Sequence, residues 1–199
     1  TWAATTVLLG KNIDSNGKID FNGGEDSGNI DETLISLTYT GKVRFVITNQ
    51  FGEFYGNSGK EHLEFLDIQA GYPVVNNKSG IFYLTLTGIK YSGYLNYSVP
   101  YFSKHEADGG LVGFEVISFP TDKAQFELGL HRAVGGSYRI DFYNSTLEMT
   151  LLKLKIQYHL TDNLGLVILT QFRDFQSKSD TLNVSEEINT TMLGFIYRL

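Results

Sequence analysis

The sequence predicts an all-β chain that closes into an antiparallel, up-and-down transmembrane β-barrel of about ten strands. Three observations carry this. Apolar and polar residues alternate with a period of two over most of the chain. The connections between alternating stretches are long and short by turns. No uninterrupted apolar run approaches the roughly 18 residues that a membrane-crossing helix needs. With 199 residues in all, positions 1–199 read as a single barrel domain.

Composition narrows the choice. Twelve Tyr, 14 Phe and 21 Gly against 3 Pro suit pleated, aromatic-rich strands. A hydrophobic share of 42% is too high for a disordered chain. Without Cys, the fold has no disulfides, thiolate chemistry or Cys-based zinc site. A net charge of −6 argues against nucleic acid as a partner, because phosphate binding needs clustered Lys and Arg. The chain starts at Thr1 with no charged-then-apolar leader, as a mature exported protein would after loss of its signal peptide or as a trimmed chain would, so export is permitted.

Strands are expected over 2–12, 32–40, 42–55, 62–75, 81–97, 110–119, 123–136, 146–160, 164–176 and 189–199. The connections 13–31, 98–109, 137–145 and 177–188 are then long, 56–61 is intermediate, and 40–42, 76–80, 120–122 and 161–163 are tight. In an up-and-down barrel every second connection shares a rim, so long loops gather at one end and tight turns at the periplasmic end. Thr40-Gly41-Lys42, Asn76 to Gly80, Pro120-Thr121-Asp122 and Thr161-Asp162-Asn163 supply residues suited to turns. An even strand count returns both termini to one rim.

The strands are two-faced. Leu66, Ile68, Ala70, Tyr72 and Val74 oppose Asp67, Gln69 and Gly71, and Leu152, Leu154, Ile156, Tyr158 and Leu160 oppose Lys153, Lys155, Gln157 and His159. Phe126, Leu128 and Leu130 alternate with Glu127, Gly129 and His131 in the same way. Lipid on the apolar side leaves the polar side to line the lumen. Two stretches depart from the rule: Leu147, Met149 and Leu151 against Leu152, and the all-apolar Leu166 to Leu169. A bulge or a locally dry interior would account for them.

The expected lumen lining is Arg44, Asp67, Gln69, Glu115, Glu127, His131, Lys153, Lys155, Gln157, His159, Gln171 and Arg173. Two readings stay open: a passage whose mixed charges select small solutes, or a lumen tied shut by ion pairs. Pairing is expected under either, because a lone buried carboxylate costs several kcal/mol. No catalytic residue is assigned and no cofactor is expected, since no Ser joins His131 or His159 in a known motif. His105-Glu106-Ala107-Asp108 falls in an expected exposed loop, as an acid/base pair, a metal ligand set or a solvated stretch. Asp14, Asn16 and Asp20, followed by Asn22, Glu25 and Asp26, offer calcium ligands without the EF-hand spacing, or a soluble loop. Phe51, Phe54, Tyr55, Tyr94, Tyr97, Tyr101, Phe102, Tyr138, Phe142 and Tyr143 are expected near strand ends, at the membrane–water boundary.

In the last segment Leu193, Phe195, Tyr197 and Leu199 share one face, with Gly194 and Arg198 on the other. The chain thereby resembles the bacterial outer-membrane β-barrel family, whose last strand alternates apolar residues and ends in an aromatic that the barrel-assembly machinery recognises. Phe195 and Tyr197 match the pattern, and Leu199 stands where Phe or Trp is usual. The resemblance implies the bacterial outer membrane as location, the lipid bilayer and the barrel-assembly machinery during insertion as partners, and small solutes as passing ligands. Omptin-like proteases and lipid A deacylases are enzymes of this architecture, and neither pattern is matched here. The expected function is a structural surface scaffold or a narrow passive channel. The alternatives are a lipid- or peptide-hydrolysing barrel enzyme and a soluble lipocalin-like barrel with an apolar interior.

Overall fold

The computed structural model describes residues 4–21, 24–57, 59–95, 104–140, 143–178 and 183–199. Among them run β1 (Ala4–Phe21), β2 (Gly24–Thr40), β3 (Arg44–Gly56), β4 (Lys60–Asn77), β5 (Gly80–Leu95), β6 (Lys104–Ser118), β7 (Ala124–Ile140), β8 (Tyr143–Thr146), β9 (Glu148–His159), β10 (Leu164–Lys178) and β11 (Asn183–Arg198). All pairings are antiparallel, β1 with β11 closing one seam and β6 with β7 the other. β8 pairs with the upper part of β7, from Ser137 to Ile140, and β9 with the lower part, from Ala124 to Arg132. They form one stave interrupted at Leu147, so the wall is a closed barrel of ten staves with one extra short strand.

The turn chemistry is local and repeated. Asn77 Oδ1 accepts from the backbone N–H of Ser79 (2.9 Å) and Gly80 (3.0 Å). Thr121 Oγ1 accepts from Lys123 and Ala124, and Thr161 Oγ1 from Asn163 and Leu164. A short side-chain acceptor thus reverses the chain at three of the four tight turns. Both described ends join that rim, with Leu199 N donating to Thr5 O at 2.9 Å.

At the opposite rim the strands overrun their expected limits. The expected loop 13–31 is strand as far as Phe21 and again from Gly24; 98–109 is β6 from Lys104; 137–145 lies in β7 and β8 outside positions 141–142; 183–188 is β11. The cause lies on the outer face. Its lower half is apolar, as in Ile35, Leu37 and Tyr39 on β2 or Ile68, Tyr72 and Val74 on β4. Its upper half is polar, as in Glu25, Ser27, Asn29 and Asp31 on β2. A strand that leaves the lipid keeps its period of two but loses its apolar stripe, so it reads as loop.

The lipid-facing stretch of β4, residues 66–74, spans roughly 20–25 Å at the usual strand tilt, the height of an outer-membrane apolar band. A polar sleeve of roughly 15 Å or more stands above it on the loop side. Surface ion pairs cover the sleeve: Lys18 with Glu25 (3.0 Å), Arg139 with Asp108 (2.8 Å) and Lys60 with Glu53 (2.6 Å). The Lys60 ammonium, then the Tyr55 hydroxyl, hold the Glu53 carboxyl below its usual range.

The aromatics redistribute accordingly. Phe51, Tyr55 and Tyr143 are exposed, whereas Phe54 and Tyr138 turn inward and are buried. Tyr97, Tyr101, Phe102 and Phe142 lie outside the described residues, as does the side chain of Tyr94. Tyr39, Phe45, Tyr72, Tyr158 and Tyr197 lie on the outer face toward the turn rim.

One irregularity sets the register of β1. Ile13 bulges out between Asn12 and Asp14, and the inward parity passes from Leu8 and Gly10 to Ser15, Gly17 and Ile19. Asn12 fills the gap in the β1–β2 ladder, donating to Ile30 O (2.8 Å) and accepting from Glu32 N (2.9 Å). Asn12→Ala leaves both backbone groups unmet and is expected to cost about 1–3 kcal/mol, read as a lower urea midpoint in detergent.

Candidate functional site

The lumen is the candidate site, and its chemistry changes with height. Nearest the turn rim, Arg44 on β3 reaches across the barrel to β6 and β7. Its Nη1 donates to Glu115, and its Nη2 donates to both oxygens of Glu127 at 2.9 and 3.0 Å. Lys155 adds a second cation to Glu127 at 2.6 Å. Lys153 on β9 meets Asp67 on β4 at 2.8 Å, four staves away by the shorter route. Three acids and three bases therefore meet in one layer, and Arg44, Glu115 and Asp67 are almost wholly buried.

The other expected lining residues also face inward. His131 is fully buried, with Nε2 3.9 Å from Glu115. Gly113 permits that, since a side chain there would run into the imidazole. Gln157 Nε2 sits 2.7 Å from His159 Nε2. Gln69 and Lys153 border a small cavity of about 40 Å³.

The far side of the same level is apolar. Leu8, Leu34, Val167, Leu169, Met192 and Ile196 form an apolar cluster, which explains the all-apolar run of β10. Ser36, level with Leu8, shares a hydrogen bond with Thr48 at 3.1 Å, and nearer the loop side Gln50 donates to Gln171. Arg173 Nη2 donates to both oxygens of Glu32 (2.7 and 2.8 Å), and its guanidinium lies 5.1 Å from the centre of the Phe65 ring. Thr190 donates to the same carboxylate at 3.1 Å.

Within the sleeve the lumen is filled by a second, larger apolar cluster. Phe175 stacks on Tyr91 at 4.6 Å and stands edge-on to Phe65 at 6.3 Å. Leu63, Leu111, Ile140, Leu147, Met149 and Leu151 pack around them. The apparent parity change at Leu151 is thus no bulge: Leu147, Met149, Leu151 and Lys153 all point inward, and the interior changes from apolar to charged between the last two.

Two loop expectations are corrected. Asp14, Asn16 and Asp20 lie along β1 rather than on a loop, and among the described residues no three His, Cys, Asp or Glu side chains converge on a metal position. His105 is buried on β6, while Glu106 and Asp108 face outward. Its partners are Glu61 on β4 and Glu186 on β11, each contacting one ring nitrogen. Glu32, Glu61 and Glu186 were absent from the expected lining. Parity carried upward from Leu34, Phe65 and Ile188 reaches all three: Glu32 opens the expected strand 32–40, whereas Glu61 and Glu186 fall just outside expected strands whose polar outward neighbours hid their extent.

A closed antiparallel barrel with an apolar girdle, a polar sleeve and charges inside has the fold of the outer-membrane β-barrel proteins, whose place is the bacterial outer membrane. Solved structures of that class are similar to this chain. The outer membrane protease OmpT from Escherichia coli aligns with a TM-score of 0.63 at 9% identity, covering 99% of this chain and 96% of that one. The COG4313 outer membrane channel from Pseudomonas putida F1 aligns with a TM-score of 0.50 at 12% identity, covering 100% and 96%. At such identities the fold is what is shared. No family model matches the chain, and no curated protein matches it in sequence.

Proposed function

We propose that this protein is a closed, surface-displayed scaffold of the outer membrane, one barrel domain over residues 1–199, and not a passive solute channel. One observation carries the reading: the lumen is crossed by the charged layer that holds Arg44–Glu115 and Lys153–Asp67, then by Gln50–Gln171 and Arg173–Glu32, and is then capped by the aromatic plug. A cavity of about 40 Å³ beside these pairs has room for a few waters, not for a hydrated solute. Similar folds carry both a protease and a channel, so the fold alone does not choose. The filled interior favours neither conduction nor a substrate cleft.

The lipid bilayer is then the permanent partner, through the girdle. Insertion would use the barrel-assembly machinery, with Phe195 and Tyr197, both outward on β11, and the terminal Leu199 as the signal. Planar-bilayer recording of the purified barrel tests the main claim. Silence in 1 M salt is expected; discrete currents whose ion selectivity changes when Lys153 is replaced would refute closure.

A further inference from the structure

The plug contains a group of residues that its apolar setting does not call for. Glu61, His105 and Glu186 are at most 3% exposed, among Leu63, Phe175 and Ile140. His105 Nε2 meets Glu61 and Nδ1 meets Glu186, so one imidazole ties β4, β6 and β11 together across the lumen. Tyr138 on β7 donates to Glu186 at 2.8 Å and sits 3.3 Å from His105 Nδ1. Tyr91 on β5 stands edge-on to the imidazole at 5.4 Å. The wall is shaped for the cluster, because a side chain on Gly93 would strike both His105 and Glu61.

Among the described residues the charges do not balance. One imidazolium offsets one carboxylate and leaves the other over, whereas every lower layer pairs acids and bases evenly. The second oxygens of Glu61 and Glu186 are buried and accept no hydrogen bond. Asp26 on β2 adds negative potential at Glu61, while β10 contributes the uncharged Phe175. Arg173, the nearest cation below on β10, is committed to Glu32.

We propose that Glu61, His105 and Glu186 form a proton-held latch on the extracellular plug, which closes it in acid medium and loosens it as the medium passes through neutrality. Loss of the proton leaves two carboxylates sharing one imidazolium in an apolar space, and the excess buried charge loosens the staves they tie. Glu61 lies above the lipid-facing stretch of β4, and burial pushes its carboxyl up to about 7, with the His105 charge drawing it down and Glu186 and Asp26 adding to the rise. An unfolded Glu61 near its ordinary 4.5 has lost the proton that the folded chain still holds. The stability contributed by that proton is therefore complete below about 4.5 and is lost as pH rises through about 7.

The test uses the intact barrel in detergent. Its melting temperature is expected to fall by roughly 5–10 °C from pH 5 to pH 8.5 in the wild type and to stay nearly level in Glu61→Gln, which mimics the protonated side chain. Because the chain has no Cys, Leu63→Cys places a single thiol in the plug. A polar maleimide at pH 8 is expected to label it several-fold faster with Glu61 present than in the Glu61→Gln background. Parallel melting curves or equal labelling rates would overturn the latch, and so would failure of Glu61→Gln to fold, since the neutral side chain is the closed form. The latch rests on the closed-barrel reading for its task but not for its test. Currents from the wild type would refute closure and leave the pH slope to judge the triad.

Discussion

Arg44→Met is expected to destabilise the folded barrel by roughly 3–5 kcal/mol, as measured by urea unfolding in detergent. The side chain is 3% exposed and is the cation shared by Glu115 and Glu127. Lys155 still reaches Glu127 in the variant, but Glu115 keeps only His131, at 3.9 Å. The loss comes from the stranded carboxylate more than from the bond itself, so adding Glu115→Gln is expected to restore most of it. A double variant no better than Arg44→Met would show that the guanidinium acts through packing, for example on Tyr83, whose ring centre lies 5.8 Å away.

Phe175→Ala is expected to have a comparable effect in the other half by a different mechanism. Phe175 is fully buried between Tyr91 and Phe65, and its removal leaves a void that stiff, paired staves cannot close. A loss of about 3–5 kcal/mol is expected at pH 5, with little dependence on salt, because no ion pair is broken. Urea midpoints at two salt concentrations separate this from the Arg44 effect. If Phe175→Ala unfolds with the wild-type midpoint, the upper cluster is not a stabilising core.

The contrast between these variants follows from a reversal of polarity along the barrel axis. Where lipid covers the outside, the wall is apolar outward and mainly polar inward on β3, β4, β6, β7 and β9. Where water covers the outside, the same strands turn polar outward and apolar inward, as a soluble barrel does. The soluble lipocalin-like arrangement weighed from the sequence thus describes the interior of the sleeve, though not the whole chain. β9 shows the change in three residues, from Met149 and Leu151 to Lys153.

Much of the lipid-embedded half was legible in the sequence. A stripe such as Leu152, Leu154, Ile156 and Tyr158 is visible because one face must be apolar whatever the neighbouring strands are. The same rule placed Arg44, Asp67, Glu115, Glu127, Lys153 and Lys155 on the opposite face. The sleeve was not legible, because outward Glu25, Ser27, Asn29 and Asp31 have the composition of a loop. His105 keeps the inward parity of Glu115, Leu111 and Ala107, since the bulge opposite Gly110 and Leu111 falls on β7, and it was hidden only because the polar Glu106 and Asp108 beside it read as loop.

By itself, then, the sequence determined the period-two wall, the turn chemistry at one rim and the inward set of the membrane-spanning half, since these depend only on near neighbours and on a solvent that is lipid. Only the tertiary structure decided that Lys153 meets Asp67, that Arg44 holds Glu115 and Glu127, and that Glu61, His105 and Glu186 share a space. Those partners are joined by closure of the barrel across staves far apart in sequence, and no local pattern encodes which residues a closed wall brings face to face.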